Sequence, residues 1–374
     1  MELYEVFSGG KNLDLLFKPD WEQAKERMSA WWERETIGRC AMAVTAPKSA
    51  AGKHEPPAPP ENIADRWLNF DYLRMKNDYR MSHTFYGGEA IPVWNAGYPG
   101  WDMLQTYLGT PINLREDTGW HSPIMGEGRL TDYEPENLVL DPQDEWWKFS
   151  QRIHQYAVSE AKGKSLPGLQ DLGGSGDTLA AMRGTENLLT DLYECPEYVK
   201  TLDLHLMKEW IKIYGALYEI TEEGAEGSTS WLTLWYPGKY YPIQNDFSYM
   251  ISPAMFDDIF IPTIEMQTDF LDKNIYHVDG VGAFAHIPSL CGLPRLSAVQ
   301  FLPGAGKPSP LYYLNTLKWI QSKGKNLHIS IPANEVETAL SELSVKGLFI
   351  ETNCDTEEEA RYLLQMAEKW SKRG

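Results

Sequence analysis

His277 and Asp279 stand two residues apart at the end of an apolar run, NIYHVDG, residues 274–280. On a strand, residues two apart point to the same side, so an imidazole and a carboxylate would face one space. Both are good zinc ligands, and the same pair can move a proton. Cys354 directly follows GLFIETN, residues 347–353. If both runs are strands of one closed sheet, their ends approach each other across its mouth. Histidine, carboxylate and cysteine would then leave a fourth position for substrate or water, the open arrangement of a catalytic zinc. The plainer reading is that a lone cysteine is a small buried hydrophobe. Glu351 is a substitute ligand, although its parity relative to Cys354 is wrong for an uninterrupted strand.

Other polar residues fall where apolar runs end: Trp94 and Asn95, Gln170 and Asp171, Trp235 and Tyr236, Gln300, and Glu351 with Asn353. The loop PGKYYPIQND adds Gln244 and Asp246. From these, His277, Asp279 and Asp246 form the expected catalytic group. The expected substrate contacts are Trp94, Asn95, Asp171, Trp235, Tyr236, Gln244, Gln300 and Glu351. Two aromatic groups, Trp94, Tyr98, Trp101 and Trp120, then Trp231, Trp235, Tyr236, Tyr240 and Tyr241, would supply platforms for a flat or sugar-like ligand, with some of the rings packing helices instead. His286 is expected in a structural role on the helix after the fifth strand.

What must position these groups is a series of short strands. Eight apolar, β-branched or aromatic runs occur, at 41–46, 90–96, 166–172, 228–236, 275–280, 296–304, 326–332 and 347–353. Amphipathic helical stretches separate most of them, among them 145–163, 186–224 and 356–373. In the last, Asp355 or Thr356 can cap the helix, and Glu357, Glu358 and Glu359 suit its positive end. Strands alternating with helices predict parallel βαβ units, and eight of them predict a single (β/α)8 barrel domain spanning 1–374. A doubly wound sheet is the competitor, but no GxGxxG follows a first strand. Residues 1–40 read as a helical N-terminal extension, and the Pro- and Ala-rich 47–62 as a loop near the mouth. In such a barrel the active site lies at the C-terminal ends of the strands.

With 53 acidic and 34 basic residues the formal charge is −19, which argues against nucleic acid and anionic membrane partners. Four scattered cysteines make neither a disulfide framework nor a zinc knuckle. No signal peptide and no apolar run of membrane-spanning length is visible, so a soluble cytoplasmic protein is expected.

The segments GDTLAAMRGTENLLTDLYECPEYV (176–199), QNDFSYMISPAMFDDIFIP (244–262), YHVDG and ETNCDTEEEARYLL (351–364) resemble the uroporphyrinogen decarboxylase superfamily. Within it the likeness is to the branch that includes corrinoid-dependent methyltransferases, and it covers roughly residues 165 to 370. The resemblance implies a (β/α)8 barrel, and pairing of barrels as a homodimer. Zinc methyltransferases of the superfamily carry a His-x-Cys after one strand and a second cysteine before the last helix. His277 matches the histidine and Cys354 the late cysteine, while Asp279 stands where the middle cysteine would be. That exchange of thiolate for carboxylate favours polarising oxygen over activating a thiol. Asp246 matches the family's recurring mouth acid. Nothing resembles the arginine-rich segment with which the decarboxylases clamp propionates, and a −19 chain without an arginine cluster is poorly suited to a porphyrinogen.

The resemblance therefore implies a zinc-containing enzyme that moves a methyl group from a small methylated substrate, a methyl ether or methylamine, to a corrinoid. The chain has no DxHxxG motif, so the cobalamin would be carried by a separate protein. Two other classes stay open: a metal-independent lyase or glycosidase using Asp171, Asp246, Asp279 and Glu351, and a non-catalytic homologue that only binds a small ligand.

Overall fold

The computed structural model describes residues 13–49, 55–97 and 102–372. In chain order its strands are β1 (Ala41–Pro47), β2 (Thr84–Gly88), β3 (Val93–Trp94), β4 (Ile112–Leu114), β5 (Gly119–His121), β6 (Leu166–Pro167), β7 (Ser228–Thr229), β8 (Trp235–Tyr236), β9 (Tyr240–Gln244), β10 (Lys273–Asp279), β11 (Ala298–Leu302), β12 (Asn326–Ser330) and β13 (Leu348–Asn353). Seven of them form the central sheet, in the order β2-β1-β13-β12-β11-β10-β9. All neighbours from β9 to β1 are parallel, and β2 is antiparallel to β1. The result is a mixed α/β fold with helices between the strands. Among the described residues no ladder closes the sheet. β3 and β6 form a separate parallel pair, and Leu169 N donates to Thr229 O at 2.9 Å.

The second half follows the expected alternation, with β10 to β13 close to the runs that predict them. The first half departs from it. The run 228–236 is a short antiparallel hairpin of β7 and β8, and the strand that enters the sheet is β9. Pro242 inside β9 disguises it as a loop. A proline lacks the N–H for a ladder bond, and such strands lie at sheet edges, where β9 is found. The helical run 186–224 is two helices, Thr185–Glu194 and Pro196–Ala225. Proline is suited to the first position of the second helix and ends the one before it. Thr356 caps the last helix, its hydroxyl accepting from Glu359 N at 3.2 Å.

Side chains alternate across the sheet, and this alternation makes two different faces. Tyr276, Val278, Leu327, Ile329 and Ile350 pack under the helices in the main core. Ile275, Ala298, Phe349, Ala41 and Ala43 line the other face, together with Trp21, Trp31 and Trp32 of the helix Trp21–Trp32. That helix plugs the end where the strands begin. Trp31 meets Phe349 edge-on at 5.4 Å, and Asn326 donates its amide to the carbonyls of Trp31 and Trp32. A buried ion pair fixes the join of β1 and β2, with both guanidinium nitrogens of Arg39 on Glu89 at 2.6 and 3.0 Å. Among the described residues no helix is long and apolar enough to cross a membrane.

Candidate active site

On the plugged face the register builds a polar row above the apolar floor. Gln244, His277, Gln300 and His328 are direct partners across β9, β10, β11 and β12. Asp279 on β10 and Glu351 on β13 stand one step higher, toward the strands' C-terminal ends. His277 Nδ1 lies 2.6 Å from Gln300 Oε1. A hydrogen bond from Nδ1 to that oxygen turns Nε2 toward Asp279, whose Oδ2 is 4.0 Å away. Asp246 completes the group: one ligand atom from each of Asp246, His277 and Asp279 lies within 4.8 Å of the other two. The chain can turn sharply after Asp279 because Gly280 adopts φ +80°, with the Tyr249 ring packed over it.

Three more carboxylates close in from other segments. Asp171 is buried, and its Oδ1 accepts from Gly173 N at 3.0 Å and from the Tyr241 hydroxyl at 3.2 Å. Asp177, in the first turn of the helix Ser175–Arg183, accepts the backbone N–H groups of Asp246 and Phe247 at 2.8 and 2.7 Å. It thereby fixes the turn that presents Asp246. Asp102 accepts from Gln244 Nε2 at 2.9 Å. Burial raises the pKa of all of them. Asp171 rises to about 6, opposed by its hydrogen bonds and by His277. Asp177 rises to about 7, with Asp246 adding to the effect. Asp102 is pushed well up by burial and then by the charges of Asp171, Asp177 and Asp246. Burial also raises Asp246, against the pull of His277.

Several expected site residues lie elsewhere. Cys354 is not part of the metal-type group. Glu351 and Asn353 face the mouth, so alternation turns the next residue to the helix side, where Cys354 packs against the main core. Its backbone N–H bonds Thr45 O at 2.9 Å, and burial plus the nearby Glu359 and Asp355 raise its thiol pKa, against thiolate formation. Trp94 is fully buried on the outer side, edge-on to Tyr156, because Val93 takes the inward parity. Trp235 and Tyr236 belong to the hairpin at the plugged end. The Trp235 indole bonds Ala225 O and meets Trp21 edge-on, and Tyr236 meets Trp32. The Asn95 side chain is spent on a local turn, accepting from Gly97 N at 2.8 Å. Gln170 is buried and committed to Tyr107, Ser150 and Gly97 O. Tyr98 and Trp101 lie outside the described residues. His286 is buried with Nε2 2.9 Å from Ser248 O, a structural placement.

The structure adds residues that sequence reading passed over. His328 is buried beside Gln300, held neutral down to about 3 by burial and by His277, with Nε2 3.7 Å from Glu351. Its even spacing from Asn326 and Ser330 within NLHISIP was the available signal. Trp231, of the expected platforms, meets His277 edge-on at 5.2 Å. Asp102 and Asp177 carried no signal beyond being acids near loops.

No family model matches the chain, and no curated protein does. Among solved structures it is similar to a methyltransferase from Methanosarcina mazei, at 11% identity and a TM-score of 0.56, over 92% of this chain and 98% of that one. At that identity the likeness is one of fold.

Proposed function

We propose that this chain is an enzyme of the uroporphyrinogen decarboxylase superfamily, on a (β/α)8 barrel completed by β3, β6 and β7. It would transfer a methyl group from a small methylated substrate to a corrinoid carried by a separate protein. The observation that carries the reading is the convergence of Asp246, His277 and Asp279 at the C-terminal ends of parallel strands, on a fold similar to that of a methyltransferase. One nitrogen and two carboxylate oxygens fit a divalent metal and lean to harder ions than a thiolate set does. Zinc or a comparable ion bound there would act as a Lewis acid on the leaving oxygen or nitrogen.

The chain's own residues have separable tasks. Gln300 fixes the ring of His277, as outer partners of ligating histidines do. Asp177 holds the Asp246 turn. Asp171, with its raised pKa, is the group suited to supply a proton to the demethylated product. A metal-independent acid–base enzyme is the second reading, favoured by that same raised Asp171.

The test pairs metal content with turnover. Near-stoichiometric metal, lost in both His277→Ala and Asp279→Ala, and methylation of a reduced corrinoid acceptor by some member of a methyl ether and methylamine panel support the proposal. No turnover across the panel by fully metallated protein sinks it. A metal-free protein that turns over a substrate without the corrinoid favours the second reading.

A further inference from the structure

We propose that the end of the sheet where β10, β11 and β12 begin holds a second ligand site, one that takes a phosphate group, free or on a small monoester. The inference goes beyond the proposed function and does not depend on it. A cavity of about 300 Å³ opens there, and Arg34, Lys273, Arg295 and Lys325 line it with one acid, Asp272. In a chain of formal charge −19, this gathering of cations reverses the local sign and favours an anion. The four come from separate segments. Arg34 follows the plug helix Trp21–Trp32, Lys273 opens β10, and Arg295 and Lys325 precede β11 and β12. Charged donors that converge from several directions suit the spread oxygens of a phosphate better than a planar carboxylate. Lys273 and Arg295 have only exposed carboxylate partners, Glu33 at 2.8 Å and Asp269 at 3.4 Å. Such pairs contribute little and give way to a ligand at small cost. The cavity's volume is that of a small-molecule site.

The other two cations are built into the fold. Arg34 ends the plug helix in a left-handed conformation, φ +59°. Arg34 N donates to Trp31 O at 3.0 Å and Glu35 N to Ala30 O at 2.8 Å. That paired closure ordinarily uses glycine, because a Cβ is strained there. The arginine accepts the strain and sets its guanidinium against the cavity, donating to Lys325 O at 2.7 Å and Gln321 O at 3.3 Å. Lys325 is 7% exposed, and its Nζ donates to Leu293 O at 2.5 Å and Leu296 O at 2.9 Å. Among the described residues both side chains have carbonyl partners and no carboxylate. An ammonium has three donors and a guanidinium five, so each keeps N–H groups beyond those carbonyls. Burial lowers the pKa of Lys325, and an anion beside it opposes that shift.

The test is calorimetry on the full chain, treated with chelator so that no metal at the mouth can hold the probe. The probes are glycerol 3-phosphate and inorganic phosphate, against acetate at the same ionic strength. At least one phosphate is expected to bind saturably, about tenfold or more tighter than acetate, and to raise the melting temperature as its concentration rises. Tighter binding of glycerol 3-phosphate identifies an ester as the ligand, and tighter binding of inorganic phosphate identifies the free ion. Arg34→Gly, which suits the left-handed turn, and Lys273→Gln should each weaken binding about tenfold, the loss of one charge-assisted hydrogen bond. Lys273→Gln decides if Arg34→Gly does not fold, and His277→Ala at the mouth should bind as the wild type does. The inference is overturned if neither phosphate binds, if acetate binds as tightly, if both substitutions leave the affinity unchanged, or if His277→Ala abolishes binding.

Discussion

The two ends of one sheet face are built from opposite materials. Where the strands begin, Trp21, Trp31, Trp32, Tyr240, Ile275 and Phe349 pack into a dry floor. Where they end, the same strands carry Gln244, His277, Gln300, His328, Asp279 and Glu351. Buried apolar area stabilises the fold, and buried carboxylates without countercharge oppose it. The floor therefore pays for the mouth. In a parallel sheet this division places stability at one end and chemistry at the other.

The sharpest way to break that division is to damage the floor. Trp31 is 1% exposed, between Trp32 and Phe349. Trp31→Ala should cost about 3–5 kcal/mol, the usual range for a large buried aromatic, read as a lower urea midpoint. Metal affinity at the mouth should not change in the protein that remains folded. A loss of metal affinity of comparable size would mean that the two ends are not separable.

Next in size is the backbone that joins floor to mouth. Gly173 has φ +60°, and a Cβ there would stand 2.5 Å from Asp102 Cγ. Left-handed backbone costs a non-glycine residue roughly 1–2 kcal/mol, and Asp102 must also move. Gly173→Ala should lower stability by about 2 kcal/mol or more, and a chemical-shift map should show the change concentrated near Asp102 and Gln244. A neutral result would mean that the acids of the mouth are not rigidly held.

Much of the floor was legible in the sequence and less of the mouth. The runs containing β10 to β13 announce themselves because parallel strands covered on both faces are continuously apolar. β9 did not, because Pro242 mimics a loop. Period-two spacing placed His277 beside Asp279, and the structure brings the loop acid Asp246 near both. The same arithmetic applied to ETNC would have turned Cys354 away, since Glu351 and Cys354 differ in parity. Trp235 and Tyr236 were misplaced for a different reason. A run of nine β-forming residues conceals a reversal of direction, and apolar content alone does not show it. Asp102 and Asp177 reach the site through tertiary folding that local pattern does not encode.

A smaller effect sharpens the electrostatic half of the comparison. Asp171 and Asp177 have folded pKa values raised from the ordinary 3.8 to about 6 and about 7. Between those limits the folded state keeps protons that the unfolded chain has released, so stability falls as pH rises. The favourable contribution is complete below pH about 4 and is lost by pH about 7. Asp171→Asn should flatten the decline in melting temperature over that window and raise stability most at its upper end. Wild-type and variant curves that run parallel across it would contradict a carboxyl held protonated by burial.

The smallest predicted effect is the one that separates two readings of the site. Cys354 lies beside the active-looking mouth in sequence but on the helix side in space, its thiol against the core. Cys354→Ala removes one partly buried sulfur, which should cost about 1 kcal/mol or less. Metal content and affinity should be unaltered, because Asp246, not Cys354, shares the space of His277 and Asp279. Cobalt substitution makes the point directly, since a thiolate ligand gives an intense near-ultraviolet charge-transfer band and a nitrogen–carboxylate set does not. A band that vanishes in Cys354→Ala would mean that the last strand's end swings inward when metal binds. Its absence in both proteins would leave a mouth built of carboxylates and imidazole, whose ligand preference is set by charge and oxygen rather than by sulfur.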